Sequence, residues 1–201
     1  MPDAGTELHY NTPFQLLIAV ILSAQCTDKR VNSITPALFK KYPTPQALSK
    51  ATYNDVYTLI ASCSYPNSKA HYLVDMAHMV LTKFNGEIPH TMEELVQLPG
   101  VGRKTANVLR TVAFNIPAMP VDTHVQRVAA RIGLTNNAKT PLATEQQLVK
   151  HIPADKLNLT HHWLILHGRY VCKARTPLCT QCGIAQGCAY FNTHQKINLK
   201  K

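Results

Sequence analysis

The chain has 201 residues, 45% of them apolar, with 21 Lys and Arg against 11 Asp and Glu and a formal net charge of +10. That apolar fraction argues against disorder, and no apolar run, Phe14 to Leu22 included, approaches the ~20 residues of a membrane span. Met1-Pro2-Asp3 is neither basic nor apolar, so no N-terminal signal is read and a soluble cytoplasmic protein is expected.

Helical periodicity dominates from the N-terminus onward, with no alternating strand pattern of any length, so the expected fold class is all-α. Thr12-Pro13 is a cap and first-turn pair for a helix to about residue 24. That helix is apolar on nearly every side and is therefore expected at the centre of a core. Further helices fit about 28–41, 44–51, 53–62, 67–84 and 91–98, separated by Pro, Gly, Asn and Thr punctuation such as Tyr42-Pro43-Thr44-Pro45 and Asn85-Gly86. Cys26 and Cys63 fall in apolar helical surroundings and read as small core residues. Up to residue 98 the charge is balanced, with 7 basic and 8 acidic side chains.

From residue 99 to 133 the balance changes to 5 basic against 1 acidic. The string EELVQLPGVGRKTANVL places a helical pair, 95–114, around Pro99-Gly100-Val101-Gly102. Gly100 and Gly102 would permit positive φ and close approach of a partner. The second helix, about 103–114, would begin with N–H groups available to a phosphate oxygen. Val101, Ala106, Leu109, Val112 and Ala113 would tie the two helices together. This is a helix-hairpin-helix pattern, suited to gripping a nucleic-acid backbone; the plainer reading is an ordinary αα-turn. Lys104 falls in the first turn, where the macrodipole disfavours a cation. Burial in a pocket would add to that and leave more free amine for nucleophilic attack; the alternative is a phosphate-contacting lysine. Asp122, before Thr123-His124-Val125, is a natural helix cap, or else a carboxylate that takes a proton or stabilises a cation near Lys104.

Helices at about 123–132, 142–151 and 159–171 complete the pattern, and the tail after Tyr190 reads as frayed. Residues 156–201 hold 7 basic and no acidic side chains, a second concentrated positive segment that favours a polyanion partner over a membrane surface. Within it Cys172, Cys179, Cys182 and Cys188 are spaced C-x6-C-x2-C-x5-C. Four thiolates in one loop-rich stretch call for a metal. Zinc usually brings two short Cys pairs, whereas one short gap between two long ones better suits a [4Fe–4S] cluster. Lys173 and Arg175, in the first loop, are placed to contact phosphates. His161, His162 and His167 lack an accompanying carboxylate and read as helix packing near the cysteines. No nucleotide-binding glycine loop is present.

LPGVGRKTANV with Lys104, VDTH with Asp122, HHWLILHGRY before the cysteine run, LLIAVILSAQCTD and YPNSKA together resemble the endonuclease III family, the iron-sulfur branch of the helix-hairpin-helix DNA glycosylases, over about residues 7–190. The resemblance implies a two-lobed all-α protein: a six-helix barrel at 6–116, a cluster lobe at 117–190 and a tail at 191–201. It implies double-stranded DNA as partner, excision of oxidised pyrimidines and strand cleavage at the abasic site. By position, Lys104 is the amine that attacks the sugar C1′ and forms a Schiff base, Asp122 is the assisting carboxylate, and Gln25 fills the gap left by the extruded base. Gly100, Gly102, Arg103, His124, Lys173 and Arg175 are the further DNA contacts it suggests.

Two departures stand out. Family members usually begin with an extra helix of about twenty residues packed on the cluster lobe, and this chain starts after it. The wedge position, often Leu, aligns with Tyr65, whose ring could stack on a base. Two alternatives are a mismatch adenine glycosylase, which needs a glutamate absent from Leu17-Ile18-Ala19-Val20, and a non-catalytic iron-sulfur DNA-binding module, which needs neither Lys104 nor Asp122. Nothing suggests oligomers, so a monomer associated with chromosomal DNA is expected.

Overall fold

Six helices open on a threonine whose side chain accepts a first-turn N–H: Thr12, Thr27, Thr44, Thr52, Thr91 and Thr140. Each such cap is worth about 1 kcal/mol, and together they explain why Thr punctuation delimits helices so well in this sequence. In a computed structural model, which describes residues 5–198 with side chains through residue 193, all regular structure among the described residues is helical. The chain divides into two compact units, Glu7–Ile116 and a second that joins the residues up to Thr6 with those from Pro117 onward.

The first unit is built around α1 (Pro13–Ser23), buried over Phe14 and Leu16 to Leu22. It packs against α2 (Asp28–Lys41), α5 (Pro66–Phe84) and α7 (Arg103–Val112). The expectation that this helix is central therefore holds: a helix apolar all round has no face left for water. Two short helices and one longer one, α3 (Pro45–Leu48), α6 (Met92–Leu95) and α4 (Tyr53–Ile60), close the unit. Cys63 is buried and Cys26 half-buried in the same core, as small apolar residues.

The second unit contains α8 (Thr123–Ile132), α9 (Pro141–His151), α10 (Ala154–Tyr170) and α11 (Ala189–Asn198), around a smaller core of Met119, Val121, Val125, Val128, Ala129, Leu148, Leu157 and Leu164. α10 begins five residues before the expected 159, because Ala154 to Asn158 continue it from Pro153. The stretch expected to fray is helical from Ala189 through Asn198, and Phe191 lines a cavity with the cysteines. The end of that expected tail, residues 199–201, lies outside the described residues. No described helix is long and apolar enough to cross a membrane.

Candidate functional site

Among α1 to α10, three helices start without a side-chain cap: α5 at Tyr65, α7 at Gly102 and α10 at Pro153. Two of these are the starts that carry residues singled out in the sequence. In the hairpin, Leu98 and Val101 close successive turns through Leu98 N–H to Leu95 O and Val101 N–H to Leu98 O. Gly100 is left-handed (φ +78°), and a Cβ there would stand 3.0 Å from Tyr72 Cβ, so the turn packs directly on α5. Only glycine meets both conditions at once. Gly102 differs from the expectation. Its φ is −94°, an ordinary extended value, and its neighbourhood is open, with nothing within 4 Å of the point where a Cβ would stand. Its glycine supplies access rather than a special torsion.

Arg103 and Lys104 are exposed in the first turn of α7, where N–H groups have no intrahelical partner. Lys104 makes no hydrogen bond or ion pair among the described residues. Its side chain is exposed, so burial does not add to the effect of the helix start; its position at an open helix start is what distinguishes it. Behind it Val101, Ala106 and Leu109 are buried, with Val112 and Ala113 half-buried, and these anchor the hairpin.

Gln25 and Tyr65, in the same unit, are brought together. Ser64 Oγ donates to Gln25 O at 2.6 Å. Both residues are left-handed, each with φ 54°, and both are exposed, Tyr65 to 62%.

In the second unit, Asp122 caps α8: its Oδ1 accepts the Val125 N–H at 2.8 Å, leaving Oδ2 without a partner among the described residues. The capping reading and an available carboxylate oxygen coexist in one half-buried side chain. His124 sits against Gly168 of α10, where an added Cβ would come within 2.9 Å of His124 Cβ. Gly168→Ala should therefore push α8 off α10, costing about 1–3 kcal/mol. Thermal unfolding would show this as a lowered Tm, and an unchanged Tm would contradict it.

Cys172, Cys179, Cys182 and Cys188 line one cavity, walled by Ile132, Val171, Leu178 and Phe191. Among the described residues no group of three or more side chains is placed to hold a single metal ion. Four thiols around one cavity are a donor set that an iron–sulfur cluster takes. The Cys179 thiol is pushed up by burial and then by the adjacent Cys172, Cys188 and Cys182, so these thiols sit close enough to oppose one another's ionisation. His167 Nε2 lies 3.7 Å from Cys182 Sγ, and burial pushes the imidazole down toward its neutral form.

Two arginines of the basic segment 99–133 are spent inside the protein. Arg127 donates to Gly168 O at 2.9 Å and to Cys172 O at 3.2 Å. Arg131 forks onto Lys173 O at 2.7 Å and Ala174 O at 2.8 Å, reaches Cys172 Sγ at 3.6 Å and lies over the Tyr190 ring. They hold the loop that carries Lys173 and Arg175, both exposed. Their spacing of four residues on one face of α8 is the signal the sequence offers for this role.

Residues 18–154 match the family model described as HhH-GPD superfamily base excision DNA repair protein. The chain is 41% identical over 200 residues to Endonuclease III of Bacillus subtilis (strain 168), covering 100% of this chain and 91% of that protein. It is 44% identical over 189 residues to Endonuclease III of Escherichia coli (strain K12), covering 94% and 89%. A solved structure of a trapped endonuclease III–DNA covalent intermediate, an estranged-adenine complex, aligns with a TM-score of 0.91 at 44% identity, over 96% of this chain and 91% of that one. A thermostable thymine-DNA glycosylase aligns with a TM-score of 0.83 at 25% identity, over 92% and 87%.

Proposed function

The chain belongs to the endonuclease III family of the HhH-GPD superfamily of base excision DNA repair proteins, and from that membership we propose that it is a DNA glycosylase and abasic-site lyase that removes oxidised pyrimidines from duplex DNA. The observation that carries the reading is the open start of α7, whose uncapped first turn suits a phosphate and presents Lys104. In this reading the Lys104 amine attacks the sugar C1′ as the glycosidic bond to the base breaks. The amine gives up a proton as the base leaves with one, and opening of the C1′–O4′ ring bond, with O4′ protonated, turns the aminal into a Schiff base. This makes the C2′ proton acidic, and its loss expels the 3′ phosphate by β-elimination. Asp122 is the assisting carboxylate, through the oxygen its cap leaves unused.

The target must leave the stack for C1′ to be reached. Gln25 fills the vacated space and Tyr65 wedges the opposite strand, while Gly100, Gly102, Arg103, His124, Lys173 and Arg175 contact the backbone. Cys172, Cys179, Cys182 and Cys188 would hold a [4Fe–4S] cluster, which supplies a rigid framework for the Lys173–Arg175 loop. The protein acts as a monomer.

The test is a duplex carrying one thymine glycol. The expected result is release of the oxidised base with a nick ending in an unsaturated aldehyde. Release of adenine from a mismatch, with the thymine glycol duplex untouched, would overturn the reading.

A further inference from the structure

Lys69 is only 4% exposed and lies on the face of α5 that buries Ala70, Leu73 and Met76. A lysine is tolerated in such a place only where its donors are met. All three are met: Nζ donates to Leu22 O at 2.8 Å, to Ala24 O at 2.7 Å and to Cys63 Sγ at 3.4 Å. The two carbonyls are among the last of α1, which an α-helix leaves without internal partners. α1 has no basic residue in its own last turn, so Lys69 also supplies the positive charge its C-terminus favours. Cys63 Sγ in turn donates to Leu22 O at 3.3 Å.

One nitrogen therefore joins two turns, the one after α1 and the one before α5. At the apex of each stands a bulky non-glycine residue in the left-handed region, Gln25 and Tyr65. Such backbones persist only where the surroundings over-determine them. Lys69 is the group common to both turns, with the Ser64–Gln25 hydrogen bond a second tie between them.

We propose that Lys69 is a positioning residue for base extrusion, holding the Gln25 and Tyr65 turns in the one arrangement that presents both side chains to a duplex. This rests on the reading of Gln25 and Tyr65 as the residues that enter the DNA. Displacing either side chain by an ångström is enough to cost on the order of a hundredfold in rate.

The test compares the holoenzyme with Lys69→Met, which fills the same space without donors, and Lys69→Arg, which keeps donors and charge. Two substrates are used: a duplex with one thymine glycol, which requires extrusion, and a short single strand with an abasic site, which does not. Expected for Lys69→Met is at least about a tenfold fall on the duplex, with single-strand cleavage unchanged and no rise in the fluorescence of a 2-aminopurine beside the lesion. Lys69→Arg should recover most of both duplex signals. Equal losses on the two substrates, no loss on the duplex, or an Arg variant as impaired as Met would each overturn the proposal. If Lys69→Met does not fold, Lys69→Gln, which is shorter, uncharged and has one donor fewer, carries the same comparison, and an unchanged duplex to single-strand ratio overturns the proposal. Failure of the wild type on both substrates would count instead against the assigned activity, and the 2-aminopurine signal on binding still reads the positioning.

Discussion

Lys104→Ala should lower cleavage at an abasic site by on the order of a thousandfold or more, because it removes the amine that forms the Schiff base in the proposed mechanism. The substitution is a clean one. Lys104 is exposed and its side chain makes no hydrogen bond or ion pair among the described residues, so its removal breaks neither. Alanine has the higher helix propensity, and loss of a cation from the first turn of α7 relieves an unfavourable interaction with the macrodipole. The Tm should therefore hold or rise slightly. Duplex binding should fall only modestly, since Arg103 and the uncapped first turn of α7 remain. Single-turnover cleavage rates and duplex affinity, measured side by side, separate this from a plain phosphate contact, which would weaken binding while leaving the chemistry intact.

Cys182→Ser should produce the largest effect on stability. The segment from Cys172 to Cys188 contains only two 3₁₀ turns, Cys179–Gln181 and Ala185–Gly187, and much of it is exposed. With the proposed cluster bound by the four cysteines, the free energy of cluster binding would be folding free energy for this segment. Iron content should fall to near zero, the yellow-brown absorbance near about 410 nm should disappear, and the second unit should lose several kcal/mol of stability. Iron and sulfide analysis with thermal unfolding checks this. A colourless wild-type protein that carries zinc would contradict the cluster assignment.

Local signals make much of this protein legible. α2 and α8 fall on the expected 28–41 and 123–132 because each is bracketed by a strong start, Thr27 or Asp122, and a clear stop. The hairpin is legible through Gly100, whose torsion and contact with Tyr72 leave no other residue possible. What escapes the sequence depends on partners distant along the chain. α11 lacks a strong start of its own, and Phe191 shows its purpose only where it meets the cysteine cavity. Arg127 and Arg131 look like any exposed basic face until α8 is set against the carbonyls of residues 168–174, some 40 positions on. Charge counting alone therefore misses that Arg127 and Arg131 are committed to internal carbonyls, while Arg103 and Lys104 are exposed. Lys69 is hidden for the same reason: a lysine within an apolar helical stripe is a signal, but its acceptors belong to the end of α1.

The most direct test of Lys104 as the nucleophile is to incubate the holoenzyme with an abasic-site duplex, add borohydride, and map the trapped adduct by peptide mass analysis. One covalent DNA–protein species is expected, with the sugar remnant on the peptide that contains Lys104. An adduct on any other residue, or trapping that persists undiminished in Lys104→Ala, would contradict that assignment.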